Sequence, residues 1–236
     1  MCGIVGYVGE KQARDVVIEG LRRLEYRGYD SAGIALVDAG SIALDKRAGK
    51  LANLEKAIEE SPLPASTTGI GHTRWATHGA PNDTNAHPHL GATGRVAVVH
   101  NGIIENFATL RDELERAGHD LVSETDTEIA AHLVEAEVLG GADLTVAMQH
   151  VCRRLEGAFT LVAVDAEDPS RVVAARRNSP LVVGLGEGEN FIGSDVAAFI
   201  EHTREAMELD QDQVVTITRE GVSVVNFDGR DRKSVV

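Results

Sequence analysis

From Gly157 onward the chain reads as strand after strand. Short apolar runs at residues 159–164, 171–175, 181–185, 191–194, 214–218 and 222–227 are punctuated by turn-forming residues. Strands joined by short connections pair antiparallel, because a parallel return needs a crossover of a dozen or more residues. The segment before Gly157 mixes strands with helices. Residues 4–8 form an apolar strand candidate, and residues 11–23 carry helical spacing, with Val16, Val17, Leu21 and Leu24 on one face. Residues 32–37 and 42–47 read as a hairpin around Asp38-Ala39-Gly40. A helix over 51–60 stops at Ser61-Pro62-Leu63-Pro64. Residues 95–100 are apolar with little alternation, as expected of a strand covered on both faces.

Three further helices are predicted, over 105–117, 126–139 and 142–155. The second has its own start signal in Ser123-Glu124-Thr125-Asp126-Thr127-Glu128, where Thr125 and Glu128 stand at capping-box spacing, and Gly140-Gly141 ends it. Helices packed around two antiparallel sheets accommodate this order, an α+β arrangement. No tandem repeat or long flexible linker divides the chain, so residues 1–236 are expected to form one compact domain.

Composition excludes several classes of function. A formal charge of −14 argues against a nucleic-acid or anionic membrane surface, both of which call for a basic stripe. No run approaches the roughly 18 apolar residues of a membrane span, and the N-terminus has no basic, apolar signal pattern. The two cysteines, Cys2 and Cys152, are too few for a disulfide framework and fit a reducing compartment; Cys152 falls in a helical run and is expected in the core. A soluble, cytoplasmic protein is the expectation.

Cys2 follows Met1 directly. Removal of Met1 would place a thiol and a free α-amine on one residue, and an amine with a reference pKa of about 7.7–8.0 can take the thiol proton near neutrality. Taken alone, Cys2 reads sooner as a small apolar residue leading into a strand. Residues 71–79, Gly-His-Thr-Arg-Trp-Ala-Thr-His-Gly, combine a guanidinium, an indole, hydroxyls and imidazoles. They make either a hydrogen-bonded turn or a site in which Arg74 forks onto a carboxylate. His100-Asn101-Gly102-Ile103 follows an apolar strand. It is either an ordinary Asn-Gly turn or a side-chain amide and a backbone N–H converging on one oxyanion. Asp126 either caps a helix or receives an ammonium group.

Five histidines, His72, His78, His87, His89 and His100, raise the alternative of a metal-binding module. Their spacing lacks a His-Glu-x-x-His or Cys-x-x-Cys frame, so neither metal nor cofactor is expected. Gly184-Leu185-Gly186-Glu187-Gly188 is not a Gly-x-Gly-x-x-Gly nucleotide loop and reads as a hairpin connection.

Taken together, residues 1–6, 22–33, 71–79, 85–89, 100–106 and 123–128 resemble the class II glutamine amidotransferases in order and spacing, through essentially the whole chain. The resemblance implies a four-layer αββα N-terminal-nucleophile hydrolase sandwich with two antiparallel sheets. It also implies site roles. Cys2, freed of Met1, would attack the side-chain amide of L-glutamine, with Asn101 and Gly102 as the oxyanion hole. Arg74 would hold the α-carboxylate and Asp126 the α-ammonium, with Thr77 and His78 lining the pocket. Arg27 would steady the site, and Trp75 would gate ammonia. Residues 24–33, Leu-Glu-Tyr-Arg-Gly-Tyr-Asp-Ser-Ala-Gly, take the hexosamine-branch form rather than the purine-branch one. Full-length members of that branch continue into C-terminal sugar isomerase domains, use fructose 6-phosphate as acceptor and are homodimers.

Overall fold

A computed structural model describes residues 2–235. Two seven-stranded antiparallel sheets stack face to face. The first has the order β11-β9-β10-β1-β4-β2-β3, built from Glu205–Glu208, Val182–Leu185, Asn190–Gly193, Gly3–Val8, Thr68–Arg74, Ser31–Asp38 and Ser41–Ala48. The second runs β14-β13-β12-β8-β7-β6-β5, built from Asp231–Val235, Val222–Asn226, Gln213–Thr218, Asp168–Arg177, Gly157–Asp165, Val96–Ile104 and His89–Leu90. Helices α1 (Ala13–Leu24) and α2 (Leu51–Glu60) cover the outer face of the first sheet. Helices α3 (Phe107–Arg116), α4 (Asp126–Leu139) and α5 (Leu144–Arg154) cover the second. The layers are therefore α, β, β, α. No helix among the described residues is long and apolar enough to cross a membrane.

Strand periodicity explains why the central strands lack polar alternation. Successive side chains point to opposite faces. On β1, Ile4 and Val8 enter the layer between the sheets while Val5 and Tyr7 pack under α1. On β6, Ala97 and Val99 face the other sheet, and Val96 and Val98 face the helices. Both faces are dry, so both sets are apolar. The α2 and α4 ranges and the β2–β3 hairpin match their predicted positions, the hairpin turning through Ala39 and Gly40, both at positive φ. The other predicted elements shift by a few residues at their ends.

Strand β4 is the main element that periodicity misses. Thr-Gly-Ile-Gly-His-Thr-Arg has few apolar side chains, yet it lies at the centre of the first sheet and is buried throughout. Its glycines admit α1: a Cβ on Gly71 would lie 2.4 Å from Val17 and one on Gly69 would lie 3.5 Å from Ala13. Helix and strand backbones approach closely because these positions carry no side chain. Cys152 is fully buried in the core between α5 and the second sheet and, like Cys2, is not in a disulfide.

The start of α4 differs in detail from a reciprocal capping box. Thr125 Oγ1 accepts from the Glu128 N–H at 3.4 Å. The Glu128 carboxylate reaches past Thr125 to accept from the N–H groups of Val122 (3.0 Å) and Ser123 (2.7 Å). Glu128 thus ties the incoming loop to the helix instead of capping the residue at its head.

Candidate active site

The antiparallel pairing of β1 with β4 puts Gly3 opposite Thr73, which brings Cys2 to the end of β4 where Arg74 and Trp75 emerge. The Trp75 N–H donates to Cys2 Sγ at 3.1 Å, and the Gly3 N–H donates to Thr73 Oγ1 at 3.1 Å. The second sheet supplies the facing wall: the C-terminal half of β6 carries Asn101 and Gly102 beside β7. Asn101 Nδ2 crosses between the sheets to donate to the Cys2 carbonyl at 3.1 Å. A cavity of about 440 Å³ opens here. Cys2, Arg27, Arg74, Trp75, Thr77, Asn101, Gly102 and Asp126 all line it.

His78, expected in this lining, is placed elsewhere. Its ring packs edge-on against Phe107 at 5.1 Å, and its carbonyl accepts from Arg74 Nη2. Its link to the cavity therefore runs through Arg74. Arg74 is 3% exposed and spends Nη2 on the carbonyls of His78 and Gly79, the latter at 3.3 Å. Its Nη1 is buried without a hydrogen-bond partner among the described residues. A buried guanidinium donor left unpaired is costly, and a carboxylate is the acceptor its planar fork fits.

Asp126, the first residue of α4, lies under the opposite wall. Its Oδ2 accepts from the Ile104 N–H at 2.9 Å, and its Oδ1 lies 3.7 Å from His100 Nδ1. Burial by itself would raise this carboxyl, but the His100 imidazole and the Ile104 N–H outweigh it and hold the group down at about 2. The carboxylate is thus ionised at neutral pH. Burial pushes the Cys2 thiol above its ordinary value, an effect the Trp75 N–H only partly offsets. Cys2 needs a base to become a nucleophile.

Gly102 has φ +119°, and a Cβ there would lie 2.0 Å from the Ala158 carbonyl oxygen. The glycine is required by the close approach of β7. Arg27 pairs with Asp195 at 2.6 Å, and Tyr26 donates to the same carboxylate oxygen at 3.1 Å, tying the turn after α1 to the segment after β10. Trp75 is 56% exposed at the mouth, against Gly28.

Other residues of the site were not singled out by sequence. Ser179, Pro180 and Ser194 also line the cavity. The Asp30 N–H donates to the Arg74 carbonyl at 2.7 Å and its Oδ2 accepts from the Ala76 N–H at 2.6 Å, which fixes the backbone on either side of Trp75. Asp30 stood inside a recognised motif, but nothing local indicates a partner more than forty residues away. Met1, whose removal the chemistry of Cys2 requires, lies outside the described residues. Among the described residues no three His, Cys, Asp or Glu side chains converge as a metal site.

The glutamine amidotransferase domain family matches residues 59–228. The chain is 69% identical over 229 residues to glutamine–fructose-6-phosphate aminotransferase (isomerizing) of Streptomyces coelicolor, covering 97% of this chain and 37% of that protein. It is 61% identical over 236 residues to the Mycobacterium tuberculosis protein of the same name, covering 98% and 38%. The chain thus spans between a third and two-fifths of the length of these curated relatives. Among solved structures, the allosteric regulatory enzyme of purine biosynthesis superposes with TM-score 0.83 at 26% identity, over 96% of this chain and 49% of that one. The B. subtilis glutamine phosphoribosylpyrophosphate amidotransferase shares the fold, with TM-score 0.82 at 24% identity and the same coverage.

Proposed function

The chain belongs to the glutamine amidotransferase domain family, and from that premise we propose that its cavity hydrolyses L-glutamine to glutamate and ammonia. The observation that carries this reading is the cavity lining. A thiol, a buried cation with an unpaired donor and a buried anion share one space of small-molecule size. Arg74 receives the α-carboxylate and Asp126 the α-ammonium, a pairing that selects an amino-acid zwitterion. Thr77 lines the same pocket, and His78 acts by holding Arg74 through its carbonyl.

With Met1 removed, the Cys2 α-amine takes the thiol proton as Sγ bonds to the carboxamide carbon of glutamine. The oxygen that becomes negative is met by Asn101 Nδ2–H and the Gly102 N–H. The C–N bond then breaks, the ammonium of Cys2 returns its proton to the departing nitrogen, and ammonia leaves behind a γ-glutamyl thioester. Water adds to that thioester with the same amine as base, releasing glutamate and the thiol. Arg27, through Asp195, steadies the wall beside Cys2, and Trp75 gates the exit of ammonia.

In this reading residues 1–236 are the glutaminase unit of a longer, cytoplasmic, homodimeric protein. Its C-terminal isomerase domains would use the ammonia to convert D-fructose 6-phosphate to D-glucosamine 6-phosphate, feeding amino-sugar synthesis. The length ratio to the relatives and their names support it. A glutamine-like covalent inactivator, read by intact mass with peptide mapping, tests the reading directly. The expected mass lacks Met1 and carries one adduct on Cys2, and an adduct elsewhere, or none, would sink the proposal. Asp126→Asn keeps an acceptor for the Ile104 N–H but loses the charge. It is expected to raise the KM for glutamine by about 10- to 100-fold, the equivalent of about 1.5–3 kcal/mol for a charged hydrogen bond. Initial-rate kinetics with kcat nearly unchanged would confirm that Asp126 binds rather than reacts.

A further inference from the structure

Four of the five histidines that suggested a metal site are buried, between 0 and 5% exposed, and two of them, His87 and His100, reach the cavity wall. Three of them form a continuous hydrogen-bond path with Thr127, itself fully buried on α4. His100 Nδ1 lies 3.1 Å from Thr127 Oγ1, which lies 2.6 Å from His87 Nε2. His87 Nδ1 lies 3.2 Å from His72 Nδ1, and His72 Nε2 lies 2.8 Å from Asn101 Oδ1. The path begins at His100, whose Nδ1 also lies 3.7 Å from Asp126 Oδ1, and ends at the Cys2 carbonyl, which accepts from Asn101 Nδ2.

The Cys2 carbonyl only accepts, and this fixes every proton back to His100. A carbonyl oxygen faces the Asn101 amide, so the atom beside it is the NH2 and the atom facing His72 is the oxygen. His72 must then donate from Nε2. Burial lowers His72 to about 3 and His87 well below its ordinary range, so both rings are neutral and each carries one proton. His72 Nδ1 is therefore a bare acceptor, and His87 must donate to it from Nδ1. His87 Nε2 is then bare and accepts from the Thr127 hydroxyl. Thr127 in turn accepts from His100 Nδ1–H. The 3.7 Å separation of His100 Nδ1 from Asp126 Oδ1 is an electrostatic contact rather than a hydrogen bond, and it favours a proton on the same nitrogen. In this pattern every donor points from His100 toward Cys2. The other nitrogen of His100, Nε2, is buried without a partner among the described residues, which suits a bare lone pair better than an N–H.

We infer that this one-way chain, His100–Thr127–His87–His72–Asn101, locks the Asn101 amide so that its second Nδ2–H faces the reacting carbonyl, which makes His72 a positioning residue for the oxyanion donor. An unrestrained amide can rotate by half a turn and offer its oxygen, an acceptor, to a developing negative charge. His72 closes that option by holding the oxygen. Its hydrogen bonds are aligned so that each polarises the next, and it starts beside the carboxylate proposed to bind the substrate ammonium. The inference deepens the glutaminase reading and rests on it for its catalytic consequence.

Two measurements test it. Long-range 1H–15N correlation spectra of the 15N-labelled chain at neutral pH report histidine tautomers without any turnover. The expected pattern is Nε2–H for His72 and Nδ1–H for His87 and His100, with His72 and His87 neutral; a proton on His72 Nδ1, or a cationic His72, would overturn the proposal. Kinetics supply the second arm. His72→Met removes the donor and is expected to lower kcat for glutamine hydrolysis about 100-fold, as loss of one oxyanion donor does. KM should change by less than about threefold, because the effect is confined to the transition state. His72→Gln places an amide N–H where Nε2–H stood and should recover most of that loss. A His72→Met variant with wild-type kcat, or a His72→Gln variant no better than it, would reduce His72 to a packing residue. If the methionine variant fails to fold, the tautomer pattern of the wild-type chain still decides. A wild-type chain that shows the pattern but releases no ammonia would overturn the glutaminase reading and leave the hydrogen-bond chain standing.

Discussion

Cys2→Ala is expected to abolish glutamine hydrolysis, lowering kcat by on the order of 10⁵- to 10⁶-fold, the scale seen when the nucleophile of a covalent mechanism is removed. The fold should be unaffected. Cys2 is only partly buried, its thiol contacts the Trp75 backbone, and both sheets are complete without it. Ammonia release measured alongside a thermal melt separates the two effects. Glutamine binding should persist, because Arg74 and Asp126 are untouched. A Cys2→Ala chain that binds glutamine and still turns it over near the wild-type rate would exclude the thioester.

Gly102→Ala is expected to damage both stability and activity, although a single methyl is added. A non-glycine residue at φ +119° is strained, and the new Cβ would lie 2.0 Å from the Ala158 carbonyl oxygen, a backbone atom of the paired strand that cannot rotate away. Either β6 separates locally from β7 or Gly102 rotates, and rotation removes its N–H from the oxyanion position. The stability loss should be about 3 kcal/mol or more, read as a fall of roughly 6–12 °C in Tm for a chain of this size. Hydrolysis should fall about 100- to 1,000-fold in the fraction that remains folded. A variant with unchanged Tm and rate would mean that β6 yields without strain and that the Gly102 N–H is not an oxyanion donor.

Much of the fold was legible from apolar periodicity. The strands at the centre of each sheet are apolar on both faces because both faces are dry, and helices α1, α2, α3 and α5 present one apolar stripe to a sheet, whereas α4 is buried all round over residues 126–135. Strand β4 was hidden by the feature that makes it central: glycine at 69 and 71 brings α1 close, and glycine carries no hydrophobic signal. The short strands β5 and β11 have only two and four residues and offer no measurable period. The candidate site was legible where it depends on side-chain chemistry within a segment, as with the Arg74 guanidinium and the Asn101-Gly102 pair. His78 departs from that expectation: its ring packs against Phe107 and its carbonyl serves Arg74.

The histidines mark the boundary most clearly. Sequence supplied their number and spacing and argued against a metal frame; the family resemblance placed His78 in the pocket lining but gave the other four no task. Tertiary structure decided which of them meet. His72 and His87 are neighbours across 15 positions, His100 and His87 share Thr127, and Asn101 reaches Cys2 across 99 positions because two sheets stack. Hydrophobic pattern reports the solvent exposure of one residue at a time, so it determined layers, strands and helices. Hydrogen bonds are directional and join residues far apart in the chain, so their partners and the positions of their protons exist only once the layers have packed.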